Sequence, residues 1–196
     1  MSTPTPPPAP PKKSGLFGFL KFGCLLVVVA GLVLVSIIIL RPSNYTIVRT
    51  ATIDSPPEKV FERVNDFKQW EGWSPWAKLD PNVKNTYSEP PSGKGATMAW
   101  VGNDEVGEGG MVITESTPSK TIKIDLEFKK PFPSKSVCHF EFVPAEEGKK
   151  TQMTWTMTGE HDFMGKAFTL FVDMDKMIGK DFENGLANMN SVSAAK

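Results

Sequence analysis

The chain has 196 residues, with 22 basic and 22 acidic side chains, 2 cysteines and 2 histidines. Residues 1–42 hold 4 basic residues and no acidic one, leaving 18 basic against 22 acidic residues, a net charge of −4, in residues 43–196. An acidic body of about 150 residues suffices for one domain, offers no electrostatic footing for nucleic acid, and has too few cysteines for a disulfide framework or a cysteine metal site.

Residues 1–21 open on a run of prolines and carry Lys12, Lys13 and Lys21. Proline density without hydrophobic periodicity predicts a disordered, extended basic tail. Residues 22–40 contain neither charge nor proline, and about 20 such residues make a transmembrane helix. The run exceeds the roughly 7–15 apolar residues of a cleaved signal, so it reads as an uncleaved anchor, with Cys24 inside it. The lysines precede the span, which places the N-terminus in the cytoplasm. The expectation is a single-pass protein of the cytoplasmic (inner) membrane, with a linker at 41–44 and an extracytoplasmic domain over 45–190, followed by a tail, 191–196.

The stretch Tyr45–Ile53 is rich in β-branched residues and predicts a strand. Ser55-Pro-Pro-Glu58 matches a capping box with Pro56 at the first helical position, and Val60, Phe61 and Val64 supply the inner face of that helix. A short second helix is predicted from near Asp66 through Trp70 to Gly72. Strands then follow at Gly95–Val101, Met111–Glu115, Thr121–Phe128, Val137–Val143 and Thr151–Thr158, separated by short glycine- or proline-bearing turns that favour antiparallel hairpins. Alternation puts Ile122, Ile124, Leu126 and Phe128 on a dry face, with Cys138, Phe140 and Phe142, and with Met153, Trp155 and Met157. Gly107-Glu-Gly109-Gly-Met-Val112 lacks the last glycine of a dinucleotide fingerprint and lies among strands, so its glycines read as a bulge or sharp bend.

A long amphipathic helix is predicted from about Phe163 to Asn190, where Met164, Phe168, Phe171, Met174, Ile178, Phe182, Leu186 and Met189 recur at three- and four-residue steps. The fold class is therefore α+β: an antiparallel sheet curved around a long C-terminal helix, preceded by one transmembrane helix. Such an arrangement commonly leaves an apolar cavity between sheet and helix.

Trp70-Glu-Gly-Trp73-Ser-Pro-Trp76, Asp80-Pro81, Thr154-Trp155-Thr-Met157-Thr-Gly159 and the helix ending Asp181-Phe182-Glu183-Asn184-Gly185-Leu186-Ala187 together resemble the polyketide cyclase/dehydrase and lipid-transport-type family. That family belongs to the START-like (Bet v 1-like, SRPBCC) superfamily. The resemblance covers roughly residues 45–190 and implies a helix-grip fold. Fold alone does not assign a function.

The inward-facing residues are the candidates for a ligand cavity: Trp73 and Trp76, which pack the short helix onto the sheet and line the mouth in part, and Met98 and Trp100, Ile124 and Leu126, Phe140 and Phe142, Trp155 and Met157 on strands, Trp100 and Trp155 being core residues first and ligand contacts second. From the long helix come Phe171, Asp175 and Ile178. Asp175 falls within the apolar stripe at 100° per residue. It either faces the cavity, desolvated and with a raised pKa, or lies at the edge of the stripe and pairs with a Lys or Arg of a neighbouring strand. His139 projects to the wet face and His161 stands at the junction of the last strand and the long helix. Two histidines so placed make no zinc site, and no cofactor is implied.

Three functions fit this reading. The first is a membrane-anchored module that binds a lipid or other apolar small molecule. The second is a cyclase- or dehydratase-like enzyme, although no catalytic motif was found, and the third is an envelope protein-interaction domain, its cavity collapsed and a surface groove binding a protein partner that the sequence does not name. A continuous apolar cavity of about 300 Å³ or more favours the first, a buried polar pair the second, and a filled interior the third.

Overall fold

The computed structural model describes residues 16–194, which fall into two compact units parting between Arg41 and Pro42. The first unit contains helix α1, Leu16–Leu40, whose stretch Gly23–Leu40 is long and apolar enough to cross a membrane. The helix begins six residues before Phe22, because Leu16-Phe-Gly-Phe-Leu continues the same apolar composition. The proline-rich stretch expected to be disordered lies, up to residue 15, outside the described residues.

The second unit is a seven-stranded antiparallel sheet with a long C-terminal helix, the expected helix-grip fold. Its strands are β1 (Asn44–Ile53), β2 (Lys84–Tyr87), β3 (Thr97–Val101), β4 (Glu108–Thr117), β5 (Thr121–Lys130), β6 (Ser134–Ala145) and β7 (Lys150–Glu160). They lie in the order β1-β7-β6-β5-β4-β3-β2. Short turns join β3 through β7 into a meander, while β1 crosses back to pair with β7 along its full length. The expected faces are present: Ile122, Ile124, Cys138, Phe140, Phe142, Met153, Trp155 and Met157 are all buried. Strand β2 was not expected. Lys84-Asn-Thr-Tyr is a short, polar edge strand, the form in which sheet edges avoid pairing with other chains.

The glycine run does form a bulge, with the β4–β5 register shifting between Glu108 and Gly109. A Cβ at Gly109 would overlap the Trp100 ring and the Glu127 carbonyl, and Gly107 has φ +67°.

One helix start differs from expectation. Helix α2 spans Pro57–Asn65, and Ser55 does not cap it. Pro57 occupies the first helical position and holds Pro56 extended (φ −59°, ψ 151°), so the helix starts one residue later, beyond the reach of Ser55. Ser55 is instead buried, its carbonyl accepting from Thr151 Oγ1 at 2.7 Å. The next segment, Phe67–Gly72, is a 3₁₀ helix opened by the Asp66 carboxylate, which accepts from the Lys68 N–H.

The predicted C-terminal helix is broken. Helix α3 covers only Phe163–Phe168, and α4 runs Met174–Ala194, through most of the expected tail. Thr169 and Val172 are β-branched and weaken helix propensity. Asp173 then accepts from the Lys176 N–H and starts a new helix. Phe182, Leu186 and Met189 of α4 are buried against the sheet. Gly179 and Gly185 let the helix backbone approach closely, since a Cβ at Gly179 would overlap the Arg49 guanidinium and one at Gly185 would come within 3.0 Å of the Trp155 ring.

Candidate functional site: a groove at the open end of the sheet

The deep part of the space between sheet and α4 is filled by aromatic rings. The 3₁₀ helix delivers Trp70 and Trp73, whose indole nitrogens donate to Val64 O (2.9 Å) and Arg63 O (3.1 Å). Their polar edges are thus satisfied while the ring faces are free to pack. Trp73 meets Phe140 and Trp155 edge-on, Trp155 stacks on Phe182 with centroids 3.9 Å apart, and Trp76 closes against both at 5.8 and 6.3 Å. Phe142 packs against Phe61 of α2. Six of the cavity candidates, Trp73, Ile124, Phe140, Phe142, Trp155 and Met157, are therefore members of a packed core, with Trp76 and Ile178 at its margin.

Trp155 Nε1 is buried without a hydrogen-bond partner. The nearby Cys138 thiol is pushed up to about 12 by burial. The Trp155 N–H opposes that shift, although it falls short of hydrogen-bond geometry.

Two candidates do not face the interior. Phe171 is 86% exposed in the connection between α3 and α4, a consequence of the helix break. Asp175, at the start of α4, is paired with an arginine of a neighbouring strand. Arg49 of β1 contacts both Asp175 carboxylate oxygens at 3.1 Å and the Asp175 carbonyl at 3.0 Å, and its Nε reaches Glu183 at 3.1 Å. The Asp175 side chain is 57% exposed. Hydrogen bonds from Arg49 hold its carboxyl below the usual value, opposite to the rise expected of a desolvated acid.

What α4 leaves uncovered is the open end of the sheet. Here the register brings one inner-face residue from each of six strands into a row: Met98, Met111, Leu126, Ser136, Gly159 and Tyr45. They form the floor of a groove of about 1040 Å³, whose lining comes from strand segments 44–46, 97–99, 110–112, 125–127, 135–137 and 158–160. Met98, Met111 and Leu126 are half-buried and pack on the edge of the core. Trp100 stands one row beyond, donating to Val106 O and meeting Phe128 edge-on, outside the groove.

The other end of the row is polar. Tyr45 Oη and Ser136 Oγ lie 2.8 Å apart, and the absent side chain of Gly159 gives the Tyr45 ring its place. Burial raises the Tyr45 pKa, so the phenol stays protonated. The His161 ring stacks on Tyr45 at 4.6 Å and 28°, and partial burial lowers its pKa against the opposing charge of Asp162. Two neutral hydroxyls with no base hydrogen-bonded to either can donate to and accept from a carbonyl or hydroxyl, but they are not poised to attack one. Among the described residues no group of three or more His, Cys, Asp or Glu is placed to hold a metal ion. His139 lies on the outer face, 4.0 Å from Glu141.

Met98 and Leu126 were the only cavity candidates that the groove contains. Met111, Ser136, Gly159 and Tyr45 were missed, although strand parity carried a signal, because each stands two residues from a buried inner-face residue: Ile113, Cys138, Met157 and Ile47.

Residues 45–194 match the family model described as polyketide cyclase/dehydrase and lipid transport. No curated protein sequence matches the chain. Solved structures similar to it include protein CV1439 from Chromobacterium violaceum, 15% identical over 77% of this chain and 98% of its own, with a TM-score of 0.57. The Aha1 dimer from Colwellia psychrerythraea is 15% identical over 77% and 97%, with a TM-score of 0.51. Ara h 8.0201 is 13% identical over 78% and 99%, with a TM-score of 0.52. At these identities the likeness concerns the fold.

Proposed function

The chain belongs to the polyketide cyclase/dehydrase and lipid transport family, and from that premise we propose a membrane-anchored module that binds a lipid or other apolar small molecule. The filled interior taken alone favours a protein-interaction domain, but an apolar groove of about 1040 Å³ stays open beside it, and the groove holds the ligand. One observation carries this reading: Met98, Met111 and Leu126 form an apolar inner-face row that α4 does not cover, ending in the Tyr45–Ser136 hydroxyl pair. An amphipathic molecule satisfies both halves, its chain on the flexible methionines and a carbonyl or hydroxyl on the pair. Helix α1 anchors the domain in the cytoplasmic membrane, with the lysines of residues 1–21 on the cytoplasmic side and the domain outside. The absence of a base hydrogen-bonded to the pair favours binding over cyclisation or dehydration.

The test is native mass spectrometry of residues 43–196, a compact unit with its own core, purified without detergent and followed by lipid analysis. A reproducible bound mass is expected, and Leu126→Trp, which puts an indole across the middle of the apolar row, should weaken it without lowering the melting temperature. A ligand-free protein that takes up nothing from a lipid panel would overturn the reading and move attention to protein partners.

A further inference from the structure

We propose that the apolar segment from Phe163 to Phe171 seats the domain on the lipid surface, beside the mouth of the groove. This rests on the reading of α1 as a membrane span.

Four large apolar side chains within nine residues point to solvent: Phe163 is 48% exposed, Met164 66%, Phe168 49% and Phe171 86%. At 100° per residue, Phe163, Met164 and Phe168 fall on one side of α3 within an arc of about 140°. The intervening Gly165, Lys166 and Ala167 are the less exposed positions. A short helix that exposes three bulky apolar residues on one side departs from the pattern of a surface helix in water. Clustered exposed apolar groups of this kind mark a contact surface.

The chain path selects the occupant. The His161 N–H donates to Ser43 O at 2.8 Å, which staples the start of α3 to the beginning of the second unit. Ser43 is three residues past Leu40, the end of the apolar stretch, and three residues reach no further than about 11 Å. The covalent link from Leu40 to Ser43 and the Ser43–His161 bond together tether the start of α3 to the end of the apolar stretch of α1. The groove lining includes Asn44–Thr46 and Thr158–Glu160, on either side of the same tether. Residues 161–180 carry three Asp and three Lys. Without net charge, the seating works by apolar insertion rather than attraction to anionic headgroups.

Flotation of residues 43–196 with phosphatidylcholine vesicles tests this without the anchor, and carbonate extraction of the full chain tests the anchor by itself. The domain should float with the vesicles equally in 0.1 and 0.5 M salt, about. Phe163→Ser combined with Phe171→Ser should lower its partition about tenfold or more and leave the melting temperature unchanged, both side chains being exposed. Flotation of the unmodified domain no greater than that of the double variant would overturn the proposal. So would a segment that forms a stable dimer by sedimentation and ignores vesicles, since a second copy would then be the occupant.

Discussion

Trp155 concentrates the energetics of the domain in one side chain. It is 1% exposed, stacks on Phe182, and touches Phe140, Trp73 and Trp76. Trp155→Ala should cost about 3–5 kcal/mol in urea unfolding of residues 43–196. Trp155→Phe should cost less than about 1.5 kcal/mol, because the indole N–H it deletes has no hydrogen-bond partner and its desolvation is uncompensated. A large penalty for the phenylalanine variant would mean that the N–H has a partner in solution. Trp155 was legible in the sequence as an inward residue. Its place in the core was legible as well; the ring it stacks on was not, because that depends on where Phe182 arrives from a helix 27 positions later in the chain.

At the scale of elements, close approach decides which segments can neighbour one another. The β4 bulge exists so that Gly109 can lie under Trp100 and beside the Glu127 carbonyl, where no side chain fits. Gly109→Ala should destabilise the domain by about 1–3 kcal/mol. Gly110→Ala meets only ordinary contact, with Met98 O at 3.4 Å, and should stay within about 0.5 kcal/mol. Thermal unfolding of the two variants side by side makes the comparison. The glycine run announced a bend in the sequence, and the bend is there. The break between α3 and α4 was less visible, since the apolar spacing runs on through Phe168, Phe171 and Met174 without interruption. Periodicity reports which residues would share a face of one helix, and it does not register that Thr169, Val172 and Asp173 favour ending one and starting another.

For the whole second unit, two groups give stability an acid dependence with separate windows. Burial lowers the His161 pKa, so the unfolded chain takes up a proton more readily. Stability is full above the ordinary value of 6.5 and declines as pH falls from there through the lower folded value. Arg49 lowers the Asp175 pKa, so that contribution is full above 3.8 and is lost as pH falls through its lower folded value. His161→Phe, which keeps a ring against Tyr45, should flatten the upper step, and Asp175→Asn the lower one, in melting temperatures followed from pH 8 to pH 3, about. Asp175→Asn should leave ligand binding unchanged, because the carboxylate sits on Arg49 outside the groove.

Local chemistry determined much of this protein directly. The charge-free run that forms most of α1, the alternating faces of β5, β6 and β7, the short helix after Asp66 and the family itself are all written in short stretches of sequence. Composition and period are local properties that each segment carries with it. The tertiary structure alone decided which rings meet in the interior and that Asp175 turns to Arg49. It also decided that the open space is a groove where Met98, Met111, Leu126, Ser136, Gly159 and Tyr45 meet. Those six come from six strands, and only the register of the paired strands aligns them. A binding surface assembled by register has no signature in any one strand, because the hydrogen bonds that set it run between residues far apart in the chain.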